Sequence, residues 1–403
     1  MTTSSPVFLT DQSQKKKNKE RVYPRFSEGE YERRFKLVKD MMKRRGVDAL
    51  LIYTSTPYEG SIHYLSNYIG QSPTYLIFPL EGEPTLILGF YNHIPCTREL
   101  SIVKDIQWHY LNPVKCLTEN LRDKKLSESR IGLVRFNNVP HGHYAEILEN
   151  LPKIQFVDVT EDYNWIRWVR SEEEMEWFRR SAYLTDLTME ALEHKIRPGL
   201  TEFDLDAIVH SSFPRDGGQL WIDYISSTSM DDPDVFVPWQ LPTPRVLNKG
   251  DVVITEITVG YYGYFSQIHR PFAVAREPNA LYRKLYDVAL ECYERVARVL
   301  RPGATTKDVI EATSVIEENG FTVYDSLVHG ESAINPELGS KTSAHPKEEF
   351  TFRENMLIVI QPQPITLDYK AGIQLGAATI VTQNGAKSLH NYPFKFPVCG
   401  GNF

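Results

Sequence analysis

The spacing of hydrophobic and polar positions changes several times along the chain, and each change predicts an element. From Tyr31 to Met42 large apolar residues recur every three or four positions until Gly46, which predicts an amphipathic helix that ends at this glycine. Short apolar runs bounded by polar residues predict buried strands between helical patterns. These runs cover residues 47–53, 75–78, 85–88 and 131–134. The alternation predicts an α/β domain over residues 26–168, after a polar, basic tail at residues 1–25 that we expect to be flexible.

A second domain is predicted over residues 169–403. Ser171 and Glu174 have the spacing of a capping box, and the apolar pattern that follows predicts a long helix running toward Lys195. A domain boundary should therefore fall close to Arg170.

The second domain contains an internal repeat. The sequence RPGLTEFD at 197–204 returns as RPGATTKD at 301–308, each time between helical patterns. Two similar halves that face each other are therefore expected. In this repeat Glu256 falls where Gln361 falls, so a site between the halves would draw on both.

The sequence GDVVITEITVGYYGYFSQIHRPF, at 250–272, places polar residues in what otherwise reads as buried sheet. A turn over 260–263 predicts a hairpin with Glu256 opposite Gln267. Because strand side chains alternate, Ile254, Glu256, Gln267 and His269 should share one face. That face is either a solvated surface of the sheet or the wall of a cleft, since alternation is the same in both.

The composition limits the classes of binding partner to be expected. The 403 residues carry a formal net charge of −7 and are 41% hydrophobic, which argues against binding to nucleic acid or to an anionic membrane and favours a small molecule. The four cysteines form no C-x-x-C pair, and no apolar run is long enough to span a membrane. We expect a cytoplasmic protein. His141 and His143 are interpreted as structural, and no nucleophile of a covalent mechanism is recognisable.

Nine segments within residues 27–390 carry a family resemblance. They are YERRFKLVKDMMKRRGVDALLIY, SIHYLSNY, RPGLTEFDLD, NKGDVVITEI, GYFSQIHRPF, RPGATTKDVIEA, LVHGES, ENMLIVIQP and AGIQLGAATIVTQNG. On these segments the chain resembles the creatinase, aminopeptidase P and prolidase family. The resemblance implies a small N-terminal creatinase-like α/β domain and a C-terminal α+β domain of the pita-bread fold with a pseudo-twofold repeat. It also implies a homodimer, because the family places the N-terminal domain of one subunit over the cleft of the other.

Metallopeptidases of this family bind two metal ions through two Asp, a His and two Glu. The matching positions here are Glu256, Gln267, His329, Gln361 and Gly376. Only the histidine is unchanged, and replacing carboxylates by amides and glycine removes both charge and ligand atoms. We therefore predict that the site binds no metal and that the protein needs no cofactor.

Creatinase is a member of the family that works without metal, so loss of the ligands leaves an enzyme possible. Its catalytic histidine aligns with the loop Val237 to Gln240, and its substrate-binding glutamates align with His269 and Gln361. The resemblance and the residues together predict Glu256, His269 and His329 as catalytic groups. The predicted substrate-binding residues are Gln267, Gln361, Tyr264, Trp239 and Glu331.

Such a pocket is close to neutral, which favours a small neutral or anionic metabolite. The main hypothesis is a metal-independent, creatinase-like enzyme that performs C–N hydrolysis, elimination or isomerisation by general acid/base catalysis. The alternative is an inactive pita-bread scaffold kept for binding. A metal-dependent Xaa-Pro peptidase is the third hypothesis.

Overall fold

The computed structural model describes residues 23–56, 60–70, 72–330, 337–342 and 349–401. The chain divides into two compact units, with the division after Arg167. Among the described helices, none has the length and apolar character needed to cross a membrane.

The N-terminal unit contains a mixed six-stranded sheet with the strand order β4-β3-β2-β1-β5-β6. Alternate residues of the central strands enter two separate cores: Leu50 and Ile52 pack in one core with α1, and Leu51 packs in the other with α4. Both faces of the sheet are thus covered, as the continuous apolar runs predict. Its elements are α1 (Glu28–Arg45), β1 (Ala49–Thr54), α2 (Ser61–Ser66), β2 (Thr74–Pro79), β3 (Thr85–Leu88), α3 (Ile94–Leu100), β4 (Asp105–Trp108), α4 (Pro113–Asp123), β5 (Arg130–Val134), α5 (His141–Asn150), β6 (Gln155–Asp158) and α6 (Thr160–Trp168).

The C-terminal unit is built on one large sheet. Seven strands follow the order β11-β10-β12-β13-β9-β8-β7, while β14 pairs with β13 and β15 pairs with β9. Its elements are α7 (Glu172–Lys195), α8 (Glu202–Ser212), β7 (Gln219–Ser229), β8 (Asp251–Tyr261), β9 (Tyr264–Val274), α9 (Ala280–Val299), α10 (Thr306–Ala312), α11 (Val315–Glu318), β10 (Val328–Gly330), β11 (Glu337–Leu338), β12 (Leu357–Ile360), β13 (Gly376–Thr382), β14 (Gly385–Ser388) and β15 (Val398–Cys399).

Helix starts agree with the capping patterns in the sequence. Ser171 and Glu174 form the predicted capping box at the start of α7. The two copies of the repeat begin α8 and α10 with the same device, a capping box of Thr201 with Asp204 and of Thr305 with Asp308. Each box satisfies backbone N–H groups that lack partners within the helix.

The β8–β9 hairpin is present, but its predicted register is wrong by two residues. Tyr261 pairs with Tyr264, so the turn is shorter than the predicted one, and Glu256 lies opposite His269 instead of Gln267. Gln267 lies opposite Thr258. A shift of two residues preserves the face on which each side chain points, so the predicted shared face remains.

Helix α7 covers one face of this hairpin. The Ser181 hydroxyl donates to the Val259 carbonyl at 2.8 Å, and the Thr185 hydroxyl donates to the Ser266 carbonyl at 3.0 Å. The Ser266 side chain points to α7, where its hydroxyl donates to the Phe178 carbonyl at 3.0 Å. Gln267 and His269 point away from α7, because they alternate with Ser266 along β9.

Candidate active site

Polar residues occupy one row across neighbouring strands of the large sheet. The pairings place Glu256 opposite His269, and His269 opposite Gly376. Continuation of the β12–β13 register places Gln361 opposite Gly376, whose Cα would carry a Cβ 2.7 Å from the Gln361 Cα. On the other side of Glu256, β7 contributes Tyr224. Directly opposed residues share a face, so these side chains form one polar row.

Glu256 is the titratable group of the row. Its carboxylate accepts a hydrogen bond from Gln267 Nε2 at 2.8 Å and another from Gln374 Nε2 at 3.5 Å. Burial, with a smaller contribution from the charge of Asp325, raises the pKa of Glu256 to about 7. The carboxyl group can therefore exchange a proton near neutral pH.

His269 is fully buried beside it. The ring is 0% exposed, and neither Nδ1 nor Nε2 has a hydrogen-bond partner. Burial, followed by the proximity of His329, holds the pKa of His269 well below its ordinary value. The ring is thus neutral at pH 7, with one donor and one acceptor nitrogen available.

Gly376 leaves the space next to this ring. A Cβ at this position would lie 2.9 Å from His269 Nδ1 and 2.3 Å from the Ile360 carbonyl oxygen. The missing side chain is therefore a requirement of the row, and the histidine and the glycine fit together as a pair.

His329 and Gln361 form a second part of the site. His329 Nε2 lies 3.0 Å from Gln361 Oε1, and its Nδ1 lies 2.7 Å from the Gly330 carbonyl oxygen. A neutral imidazole satisfies one of these acceptors, and an imidazolium satisfies both. The amide nitrogen of Gln361 donates to the Ser326 carbonyl at 2.9 Å and to Asp325 Oδ2 at 3.4 Å.

The remaining predicted residues lie elsewhere. Tyr264 alternates with Gln267 along β9, and its hydroxyl donates to Glu174 Oε1 of α7 at 3.2 Å. The expectation that it lines the cleft beside Glu256 is therefore wrong. The Trp239 side chain is 44% exposed, so it does not belong to the buried row. Glu331 lies outside the described residues.

Sequence reasoning missed Asp325, Gln363, Gln374 and Tyr224. Gln363 and Gln374 lie two residues from Gln361 and Gly376, so strand alternation could have placed them on the same face. Tyr224 required the β7–β8 register, and Asp325 lies in a loop without any periodic signal.

The residues at the family's metal positions do not fit a pair of divalent ions. Among Glu256, Gln267, His329, Gln361 and Gly376 there is one carboxylate, and the glycine offers no side-chain ligand atom. His329 Nε2 is engaged by Gln361. Within the described ranges, three side chains suited to binding a metal come together at a different place, at Asp206, His210 and Asp223. No catalytic step through a metal follows from the row.

Two family models match the chain. Residues 34–170 match the Creatinase/Prolidase N-terminal domain, and residues 176–383 match Metallopeptidase family M24.

Curated relatives are similar over part of their length. An uncharacterized peptidase of Staphylococcus saprophyticus is 30% identical over 158 residues, which cover 38% of this chain and 44% of the relative. An uncharacterized peptidase of Staphylococcus epidermidis is 24% identical over 222 residues, which cover 53% of this chain and 60% of the relative. The chain thus spans about half the length of these relatives. An uncharacterized hydrolase/peptidase of Sinorhizobium fredii is 27% identical over 318 residues, covering 74% of this chain and 79% of the relative.

Solved structures share the fold. The X-Pro aminopeptidase of Thermotoga maritima has a TM-score of 0.79 at 20% identity and covers 90% of this chain and 99% of its own. The prolidase of Pyrococcus horikoshii has a TM-score of 0.76 at 21% identity, with coverage of 90% and 99%. The two domain matches and the shared architecture show that this chain belongs to metallopeptidase family M24, with a creatinase/prolidase N-terminal domain and an M24 pita-bread domain.

Proposed function

We propose that the chain is an enzyme that acts on a C–N bond of a small metabolite by general acid/base catalysis, without a divalent metal. One observation carries this proposal. Glu256, with a pKa of about 7, stands in a row with His269 and with Gly376, a position where the family's metallopeptidases carry a metal-binding carboxylate. The family supports hydrolysis as the reaction class, since its named relatives are peptidases and hydrolases.

The roles follow from exposure. Glu256 is half-buried, so it is the member of the row that touches the substrate and transfers the proton. His269 lies opposite it on the neighbouring strand, is fully buried and supports the row by packing, and its neutral ring adds no charge to compete with the carboxyl group. His329 holds Gln361 in place through the contact of its Nε2 with Gln361 Oε1. Elimination or isomerisation would use the same proton transfer.

Turnover of neutral amides and related C–N compounds tests the proposal, with and without a chelator. Glu256→Gln should lower the rate about a hundredfold or more, the usual scale for loss of a general acid or base. Glu294→Gln, which removes an exposed carboxylate of α9, is the matched control and should be without effect. Activity that disappears with chelator and returns with manganese or zinc would instead support a metal-dependent peptidase.

Elemental analysis of the purified protein provides a second test, since stoichiometric bound metal would contradict the proposal. If no C–N compound is turned over, the inactive binding scaffold becomes the better description. The homodimer and the cytoplasmic location stay predictions, which light scattering and localisation would test.

A further inference from the structure

The polar row contains more hydrogen-bond acceptors than the protein itself satisfies. Gln267, Gln363 and Gln374 are 5%, 1% and 0% exposed, and the Oε1 atom of each has no hydrogen-bond partner. We call these three oxygens the acceptor cluster. Thr258, directly opposite Gln267, has an unpaired hydroxyl as well. Buried polar atoms are nearly always paired, so a group of unpaired acceptors marks a place suited to a group that donates hydrogen bonds.

The orientation of two amides follows from their contacts. Gln267 and Gln374 both direct Nε2 to the Glu256 carboxylate. An ionised carboxylate only accepts hydrogen bonds, so both amides must present N–H to it, and their oxygens are left over. Gln363 joins them because the contact of Leu375 N with the Pro362 carbonyl at 3.2 Å places Gln363 opposite Gln374.

The charge around the cluster is negative. Asp325 lies close enough to raise the pKa of Glu256, and its carboxylate contacts Gln361 at 3.4 Å. A ligand carboxylate would be the third at this place, after Glu256 and Asp325, and it would supply no hydrogen to the unpaired oxygens. The anionic metabolite allowed by the sequence is therefore disfavoured.

We propose that the site binds an uncharged group with two or more N–H bonds, of the primary amide or urea class, whose hydrogens are accepted by the acceptor cluster beside Glu256. This inference rests on the proposed function, because both place the ligand against Glu256. An Xaa-Pro peptide bond, which has no N–H, does not meet this requirement.

Four probes with four heavy atoms each separate the possibilities. Urea, acetamide, acetone and acetate have nearly the same shape but carry four, two, no and no N–H bonds, and acetate is also charged. Isothermal titration calorimetry at pH 8 gives their dissociation constants, which should lie in roughly the millimolar range for ligands of this size. We expect urea to bind most tightly, acetamide next, and acetone and acetate at least about tenfold more weakly than urea, since each net hydrogen bond contributes about fivefold.

Gln267→Leu and Gln374→Leu should each lower the affinity for urea about fivefold and leave the affinity for acetone unchanged. Gln383→Leu removes an exposed glutamine and is the matched control. If a leucine variant fails to fold, the order of the four probes on the unmodified protein still decides.

Acetone or acetate binding as tightly as urea, or no saturable binding of any probe, would overturn the inference. Measuring both binding and turnover distinguishes a failure of this inference from a failure of the proposed function. The expected order of affinities without any turnover leaves this inference standing and removes the enzyme. Acid/base turnover of an anionic substrate without N–H bonds would support the enzyme and overturn this inference.

Discussion

The two halves of the C-terminal unit share their backbone devices but differ in chemistry. In the capping boxes, Thr201 N donates to Asp204 at 2.7 Å and Thr305 N donates to Asp308 at 2.8 Å. In the polar row, the first half supplies Glu256 and His269, and the second half supplies Gln361 and Gly376.

The difference has a physical reason. A capping box needs only four consecutive residues, so each half can keep it independently. The row needs side chains from different strands to fit one another. Here the first half contributes the carboxyl group of Glu256 and the ring of His269. The second half contributes Gly376, whose missing side chain leaves room for that ring.

A substitution at Gly376 should cause the largest loss of stability, because it removes the space in the row. Gly376→Ala would bring a Cβ to 2.3 Å from the Ile360 carbonyl oxygen, and we expect it to lower the free energy of unfolding by about 3 kcal/mol or more, because backbone must move. Denaturant unfolding measures this change. Gly142→Ala is the control, since its Cβ would meet nothing within 4 Å. Equal stability of the two variants would show that the row tolerates a side chain at Gly376.

The second prediction concerns the titratable half of the row. Glu256 has an ordinary pKa of 4.5 when unfolded and about 7 when folded. Between these values the folded state binds more protons, so this group's contribution to stability falls as pH rises and stays level above pH 7. Relative to Glu256→Gln, the wild-type protein should lose on the order of 2 kcal/mol across this window. Parallel stability curves for the two proteins between these pH values would contradict the assignment.

The third prediction concerns the two capping boxes, which both halves contain. Thr201→Ala and Thr305→Ala should each cost about 1 kcal/mol of stability, the usual value for a lost N-cap, and the double variant should show the sum. Thermal unfolding measures all three, and any turnover should be unchanged. Strongly unequal losses would mean that the two caps are not equivalent.

The last prediction concerns the influence of Asp325 on the pH at which Glu256 titrates, and the expected change is small. The charge of Asp325 raises the pKa of Glu256, so Asp325→Asn should move the pH midpoint of Glu256 to a lower value. The midpoint comes from the pH dependence of stability, compared with that of Glu256→Gln. Asp232→Asn, which changes an exposed carboxylate, is the control. An unchanged midpoint would show that Asp325 does not act on Glu256.

Local patterns in the sequence predicted much of the fold. The end of α1 at Gly46, the strand at Thr85–Leu88 and the capping box at Ser171 all lie where they were expected. Each depends on interactions among residues that are close in the sequence. The shared face of Glu256 and His269 was also predictable, because it needs only the period of a strand.

Tertiary structure decided the rest of the site. The register of the hairpin placed Glu256 opposite His269, and strand order brought Gly376 beside them. The glutamate that accepts the hydrogen bond of Tyr264 lies on α7, far away in the sequence. The family and the internal repeat were already recognisable in the sequence, together with the amides and the glycine at positions where the family's metallopeptidases carry carboxylates. Which side chains meet, and which are left without partners, depends on strand pairing and loop placement over long distances, and these leave no periodic signal in the chain.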